Sequence, residues 1–137
     1  ANHAGPGFRK IVMTKSSSGL YGTFGQSNQG VAKMALVDLM QTRAPEGARP
    51  DIRVNCIAPG LLHTPMTAPR MNDEQREQRK SAAPLGTEGT GWDVGWAAVF
   101  LASEEARWIT GIVLPVEAGL TVTSPVTYTT IGQQARF

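Results

Sequence analysis

The apolar run Ile11-Val12-Met13-Thr14 passes into Ser16-Ser17-Ser18-Gly19 and then, from about Gln26, into a helix-forming stretch that reaches Arg43. That order constrains the fold more than anything else in the chain. A short apolar run bounded by turn residues reads as a buried strand, and a strand followed by a loop and a long helix is the opening of a parallel crossover. Between Val31 and Met40 only Lys33 and Asp38 are charged. A surface helix shows one apolar stripe, so a helix that is apolar nearly all round needs the sheet on one side and a second cover on the other. The serine loop then sits at the carboxyl end of a strand, where layered α/β proteins collect ligands. It sets the hydroxyl of Ser16 facing the ammonium of Lys33.

Two later runs extend the sheet. Asp51 to Ala58 alternates, with Ile52, Val54 and Cys56 facing one way, and Ile112 to Val116 forms a last strand. Pro115 suits an edge, because proline cannot donate to a ladder. The pattern predicts three parallel strands, near Lys10–Thr14, Asp51–Ala58 and Ile112–Val116, in sequence order with helices between them. Pro45 is expected to end the first helix, and Ser27 or Asn28 to cap its start. Residues 71–83 are polar, with Asn72 as cap, Asp73 and Glu74 early and Arg79 and Lys80 late, an order that suits the helix dipole. This helix reads either as a lid over a substrate or as a solvated surface helix. Another begins at Thr90 or Gly91, packing through Val94, Ala97, Ala98 and Leu101, while Trp92 and Trp96 point to core or interface.

A chain of 137 residues is long enough for one domain with a real core. A formal charge of +2, on scattered residues, gives no footprint for nucleic acid. The single cysteine, Cys56, excludes an internal disulfide, fits a reducing compartment and reads as a buried small hydrophobe. No apolar run approaches a membrane span, and no cluster of metal ligands is present, so the chain reads as cytoplasmic.

The Ser16 segment resembles the active-site segment of the short-chain dehydrogenase/reductase family: a serine, thirteen residues on a tyrosine, four further on a lysine. Ser16 and Lys33 match, and Gln29 stands at the tyrosine position. Gly19, Tyr21-Gly22, Phe24-Gly25-Gln26 and Asn28 look like the branch with bacterial reductases and peroxisomal hydroxyacyl-CoA dehydrogenases. Pro59-Gly60-Leu61-Leu62-His63-Thr64 resembles the family's turn beneath the nicotinamide. Ile109-Thr110-Gly111 through Pro115-Val116-Glu117-Ala118-Gly119 resembles its closing strand, with Ala118 where glycine is common.

The resemblance implies the carboxyl-terminal half of a Rossmann-like, doubly wound parallel sheet that works on a carbonyl or secondary alcohol with NAD or NADP. Ser16 would orient the substrate oxygen and Lys33 would bond the nicotinamide ribose. Pro59, Gly60, Leu62 and Thr64 would surround the carboxamide. It also implies a homo-oligomer paired through helix 26–43, and gives His63 no catalytic role, leaving it a solvent-facing loop residue. Tyr21 is not expected to replace the missing phenol. The family's glycine-rich pyrophosphate turn has no counterpart. The pair Gly5-Pro6-Gly7 follows no strand, puts Lys10 where a third glycine is needed, and reads as a turn. Residues 1–137 therefore read as a single partial Rossmann-like domain without the dinucleotide-binding half, with an extended arm over 120–137. Gln29 does not titrate, so the expectation is an oxidoreductase by ancestry that is inactive as this isolated chain. The alternative is a non-catalytic interaction subunit that keeps the pairing helix.

Overall fold

The computed structural model describes residues 9–21 and 24–122. Strand β1 (Arg9–Thr14) leads through the short helix α1 (Ser18–Tyr21) into α2 (Ser27–Ala48), which returns the chain to β2 (Ile52–Pro59). There follow β3 (Leu62–His63), a 3-10 turn at Ala68–Arg70, α3 (Asp73–Ser81), β4 (Gly89–Thr90), α4 (Gly91–Ala102) and β5 (Val113–Val116). β1, β2 and β5 form a parallel sheet in that order, as the apolar runs predict. β3 and β4 pair in parallel as a small second sheet, too short to leave a periodic signal. The turn expected at Gly5-Pro6-Gly7, and all of the expected arm beyond Val122, lie outside the described residues.

The central strand β2 is buried from Arg53 to Ala58. On one face Val54 and Cys56 pack with Val37, Met40 and Ala44 of α2, flanked by Met13, Ile52 and Val113. On the other, Arg53 donates to the carbonyls of Ser103 and Ile109 at 3.0 Å each, and the Asn55 amide donates to Ile109 at 3.0 Å. The sheet therefore has α2 on one side and the turn that ends α4 on the other. β5 lies at an edge with Pro115 exposed.

Three local expectations are corrected. The serine–glycine loop contains a helical turn, α1, because Gly19 and Leu20 donate back to the carbonyls of Ser16 and Ser17 at 3.1 and 2.9 Å. The cap of α2 is Gln26, without a side-chain bond, while the Asn28 carboxamide accepts from the Gln29 N–H at 2.8 Å. Pro45 lies inside α2, which runs on to Ala48. The lost backbone bond is offset by packing: Met40, Ala44 and Gly47 line one helix face and all are buried. Gly47 makes that approach possible, since a Cβ there would stand 2.8 Å from the Ile52 carbonyl oxygen.

These two residues should respond in opposite directions. Pro45→Ala restores a donor and should stabilise by about 1–2 kcal/mol, the helix gain less the unfolded-chain entropy. Gly47→Ala should destabilise by about 1–3 kcal/mol by overpacking. Urea midpoints of the two variants check both signs.

Candidate active site

The carboxyl ends of the three strands lie side by side. The parallel ladder continues past β1, with Lys15 N–H and Ser17 N–H donating at 2.9 Å to the carbonyls of Ile57 and Pro59. Beside it, Gly60 N–H donates to the Val116 carbonyl at 3.0 Å. Ser16, Pro59-Gly60 and Val116-Glu117 thus form a contiguous rim. The Ser16 hydroxyl lies 2.7 Å from that of Ser18 and accepts from the Ser18 N–H at 3.3 Å.

α2 brings its first turns to this rim. A Cβ on Gly19 would stand 3.0 Å from Lys33 Cβ, so the serine turn and the lysine pack directly on one another. Lys33 Nζ donates to the Thr14 carbonyl at 3.2 Å, holding the ammonium at the end of β1. Lys33 is thus held against the serine turn, while the Ser16 hydroxyl pairs with Ser18. Gln29 lies one turn earlier on the exposed side of α2, and among the described residues its carboxamide has no hydrogen-bond partner.

A family model described as enoyl-(acyl carrier protein) reductase matches residues 2–121. In fold the chain is similar to an oxidoreductase of the short-chain dehydrogenase/reductase family from Burkholderia thailandensis, at 33% identity and a TM-score of 0.80 over 90% of this chain and 49% of that one. The chain belongs to the short-chain dehydrogenase/reductase family. Among its relatives, a 3-oxoacyl-(acyl-carrier-protein) reductase of Thermotoga maritima is 38% identical over 82% of this chain and 45% of the relative. Nodulation protein G of Rhizobium meliloti is 34% identical over 81% and 45%. A 4-hydroxyisoleucine dehydrogenase mutant complexed with NADH and succinate superposes with a TM-score of 0.79 at 32% identity, covering 84% of this chain and 48% of that one. The chain spans about half the length of the curated relatives it matches.

Within this family the segment after β2 is where the nicotinamide ring is expected, and here its polar groups are turned inward. Leu62 N–H donates to the Gly60 carbonyl at 3.1 Å, and the Thr64 hydroxyl lies 3.2 Å from that of Thr67. Gly60 serves the fold: a Cβ there would fall 2.5 Å from Glu117 Cβ, so its bareness lets β5 approach. Ala118 takes a left-handed φ of 58°, the conformation for which glycine is the usual choice.

His63 is not a solvent-facing loop residue. It sits in β3, partly buried, with Nδ1 enclosed, unbonded and 3.8 Å from Glu88. Pairing of β3 with β4 draws it in. Glu88 in turn takes two hydrogen bonds from Arg76 of α3, at 2.6 and 2.5 Å. Those bonds, against the effect of burial, hold its carboxyl below the usual carboxylate range. α3 starts as expected, with Asn72 and Gln75 in reciprocal capping bonds. Beneath it a cleft of about 210 Å³ is lined by Leu62, Arg79, Leu85, Glu88 and Val116 among others.

One residue of this corner gave no signal in the sequence. Lys15, adjacent to Ser16, is 2% exposed, and among the described residues its amine reaches only the Met34 thioether, at 4.0 Å. Burial lowers its pKa from the ordinary 10.5, partly opposed by Cys56, whose own thiol is pushed up by burial. A lysine beside a serine suggests solvent, and only the ladder to Ile57 reveals that it is enclosed.

Lys15→Met should stabilise the protein, by on the order of 1 kcal/mol at neutral pH. A base with a lowered folded pKa costs stability in full below that value, and the cost fades as pH rises towards 10.5. The gain of the variant over the parent should shrink across that window. Paired urea titrations at neutral and alkaline pH read it; without the Lys15 charge the Cys56 thiol is left higher, which shrinks the gain further as pH rises.

Glu88→Gln should speed amide exchange in α3. The contribution of Glu88 is present above the ordinary carboxylate pKa of 4.5 and is lost as pH falls through the lowered value. Parent and variant should therefore converge in acid.

Proposed function

We propose that this chain forms the substrate-handling corner of an NAD- or NADP-dependent oxidoreductase acting on a carbonyl compound or secondary alcohol, and that alone it does not transfer hydride. The packing of Lys33 on the serine turn at the end of β1, with Gln29 at the sequence position of the family's tyrosine, supports this reading. Ser16 orients the substrate oxygen, Lys33 binds the nicotinamide ribose, and Leu62 and Thr64 take the carboxamide above Pro59-Gly60. A bound nicotinamide would supply or accept the hydride. The proton has no carrier. A phenol, with a pKa near 10, can be drawn towards neutrality by an adjacent ammonium, whereas a carboxamide cannot titrate. Losing that role removes roughly 10²- to 10⁴-fold in rate. α3 acts as the lid on the substrate side.

We assign 1–137 as one partial Rossmann-like domain whose pyrophosphate-binding half is supplied elsewhere. The outer edge of β1 is unpaired among the described residues. Beside it runs an apolar groove of about 400 Å³ lined by Ile11, Met13, Leu39 and Ile52 among others. A strand and helix of the second half would cover both. No described helix is long and apolar enough to cross a membrane, and we assign the chain to the cytoplasm on its single buried thiol.

A second reading rests on a different observation. Val31 and Met34 of α2 are exposed apolar residues about 60° apart on the helix, and an exposed apolar face of this kind marks an interface. On this reading the chain is a non-catalytic subunit that pairs through α2, as a homo-oligomer or with a longer relative.

Nicotinamide absorbance with a panel of ketones and secondary alcohols separates the two. The unmodified chain should show no turnover, and Gln29→Tyr alone should rescue little. Gln29→Tyr together with a relative's amino-terminal half, in trans or fused, should give turnover that Lys33→Ala abolishes. Association without turnover in that combination favours the interaction subunit. Robust turnover by the unmodified chain, lost in Ser16→Ala, overturns the proposal.

A further inference from the structure

Lys15 and Met34 meet where β1 ends against α2, each one position from a residue of the corner already described, Ser16 and Lys33. Among the described residues the enclosed amine of Lys15 finds no oxygen acceptor, only the Met34 sulfur at 4.0 Å. A thioether is a weak acceptor, and an amine so fully buried ordinarily has a strong one, because an unpaired group costs stability. Met34, by contrast, is reachable: the residue is 43% exposed on α2. One group thus lacks an acceptor oxygen, and its neighbour can acquire one from a reagent in solution. The spacing fits that change. An S–O bond of about 1.5 Å and a hydrogen bond of about 2.8 Å, meeting at about 135°, together span about 4.0 Å. A water in the same gap would have the thioether as its second partner and would itself be poorly satisfied.

We propose that Met34 is an oxidation site for hydroperoxides, and that the sulfoxide it forms is clasped by Lys15 Nζ. The step balances with the peroxide as the only reagent. The sulfur lone pair attacks one peroxide oxygen, so the S–O bond forms as the O–O bond breaks. Sulfur is oxidised and the peroxide reduced by one electron pair, and the proton of the transferred oxygen passes to the leaving oxygen. With hydrogen peroxide the second product is water. Sulfoxidation usually harms a protein, because a flexible apolar side chain becomes polar. Here the new oxygen falls opposite a buried donor that has no strong acceptor, and the modified chain is the more stable one. The clasp ties the end of β1 to α2 through residues that flank Ser16 and Lys33 without engaging either. Neither the oxidation nor the clasp requires the chain to transfer hydride.

Peptide mass mapping of the full chain after treatment with hydrogen peroxide locates the added oxygen. Met66, 74% exposed, is the accessible reference and Met40, 1% exposed, the enclosed one. Urea midpoints of the oxidised and untreated chain then read the clasp. Met34→Leu, treated in the same way, carries the effect of the other methionines, so its change is subtracted from that of the parent. On that difference, oxidation of Met34 should raise the midpoint by about 0.5 M. The same difference measured in a Lys15→Leu background, which adds no thioether, should fall below zero. Met34 left unoxidised while Met66 is fully converted, as it would be beneath a second copy, overturns the proposal. A midpoint lowered by Met34 oxidation in the parent overturns it too, as does a rise of the same size in the Lys15→Leu background.

Discussion

The fold depends on how β2 disposes of the polar residues it buries. A strand covered on both faces ordinarily reads as a continuous apolar run, yet β2 carries Arg53 and Asn55, both at most 3% exposed. Each stays inside because the chain returning from α4 presents bare carbonyls. Arg53 takes those of Ser103 and Ile109, while Asn55 gives its amide to Ile109 and accepts the Ile112 N–H at 3.2 Å. The Thr110 hydroxyl accepts the Val54 N–H at 3.0 Å. β5 is thus docked on β2 by side chains before its own ladder begins. A buried donor left without a partner costs about 1–3 kcal/mol, so this set has to form together, and its formation fixes the register that brings Val116 beside Gly60.

From that register the alignment of the strand ends follows. With Cys56 opposite both Met13 and Val113, the three strands end at one level. The serine turn, the Pro59-Gly60 turn and the Glu117-Ala118 turn then converge without any contact made for the purpose. Bare backbone at Gly60 and the left-handed Ala118 allow the last two to lie so close.

How much of this was legible follows from the range of each signal. Strands β1 and β5 contain short apolar runs, β2 alternates, and α2, α3 and α4 carry periodicity or capping residues that act over a few positions, so local chemistry announces them. Ser16 and Lys33 are visible because their spacing spans one strand–loop–helix unit. Lys15 and His63 are enclosed by partners more than twenty residues away, Ile57 across the ladder and Glu88 beside β4, and nothing beside them in the chain says so. Pro45 misleads for the same reason. Its local effect is to stop a helix, and the buried faces of Ala44 and Gly47 that overrule it depend on β2 being in place. Trp92 and Trp96 were legible as core or interface, and their exposure removes the first of these.

On the proposed reading, the position that would decide the chemistry is one the fold ignores. Gln29 is exposed on the first turns of α2, with its carboxamide unbonded among the described residues, whereas the groups that hold the corner are Gly19, Thr14 and Lys33. A change at residue 29 removes no packing, strands no buried polar group and alters no cap, so folding supplies no force that retains a phenol there. The scaffold and the proton donor are separable in this architecture. On that reading a chain can keep the serine, the lysine and the aligned strand ends intact while the reaction proposed for them loses its acid and base.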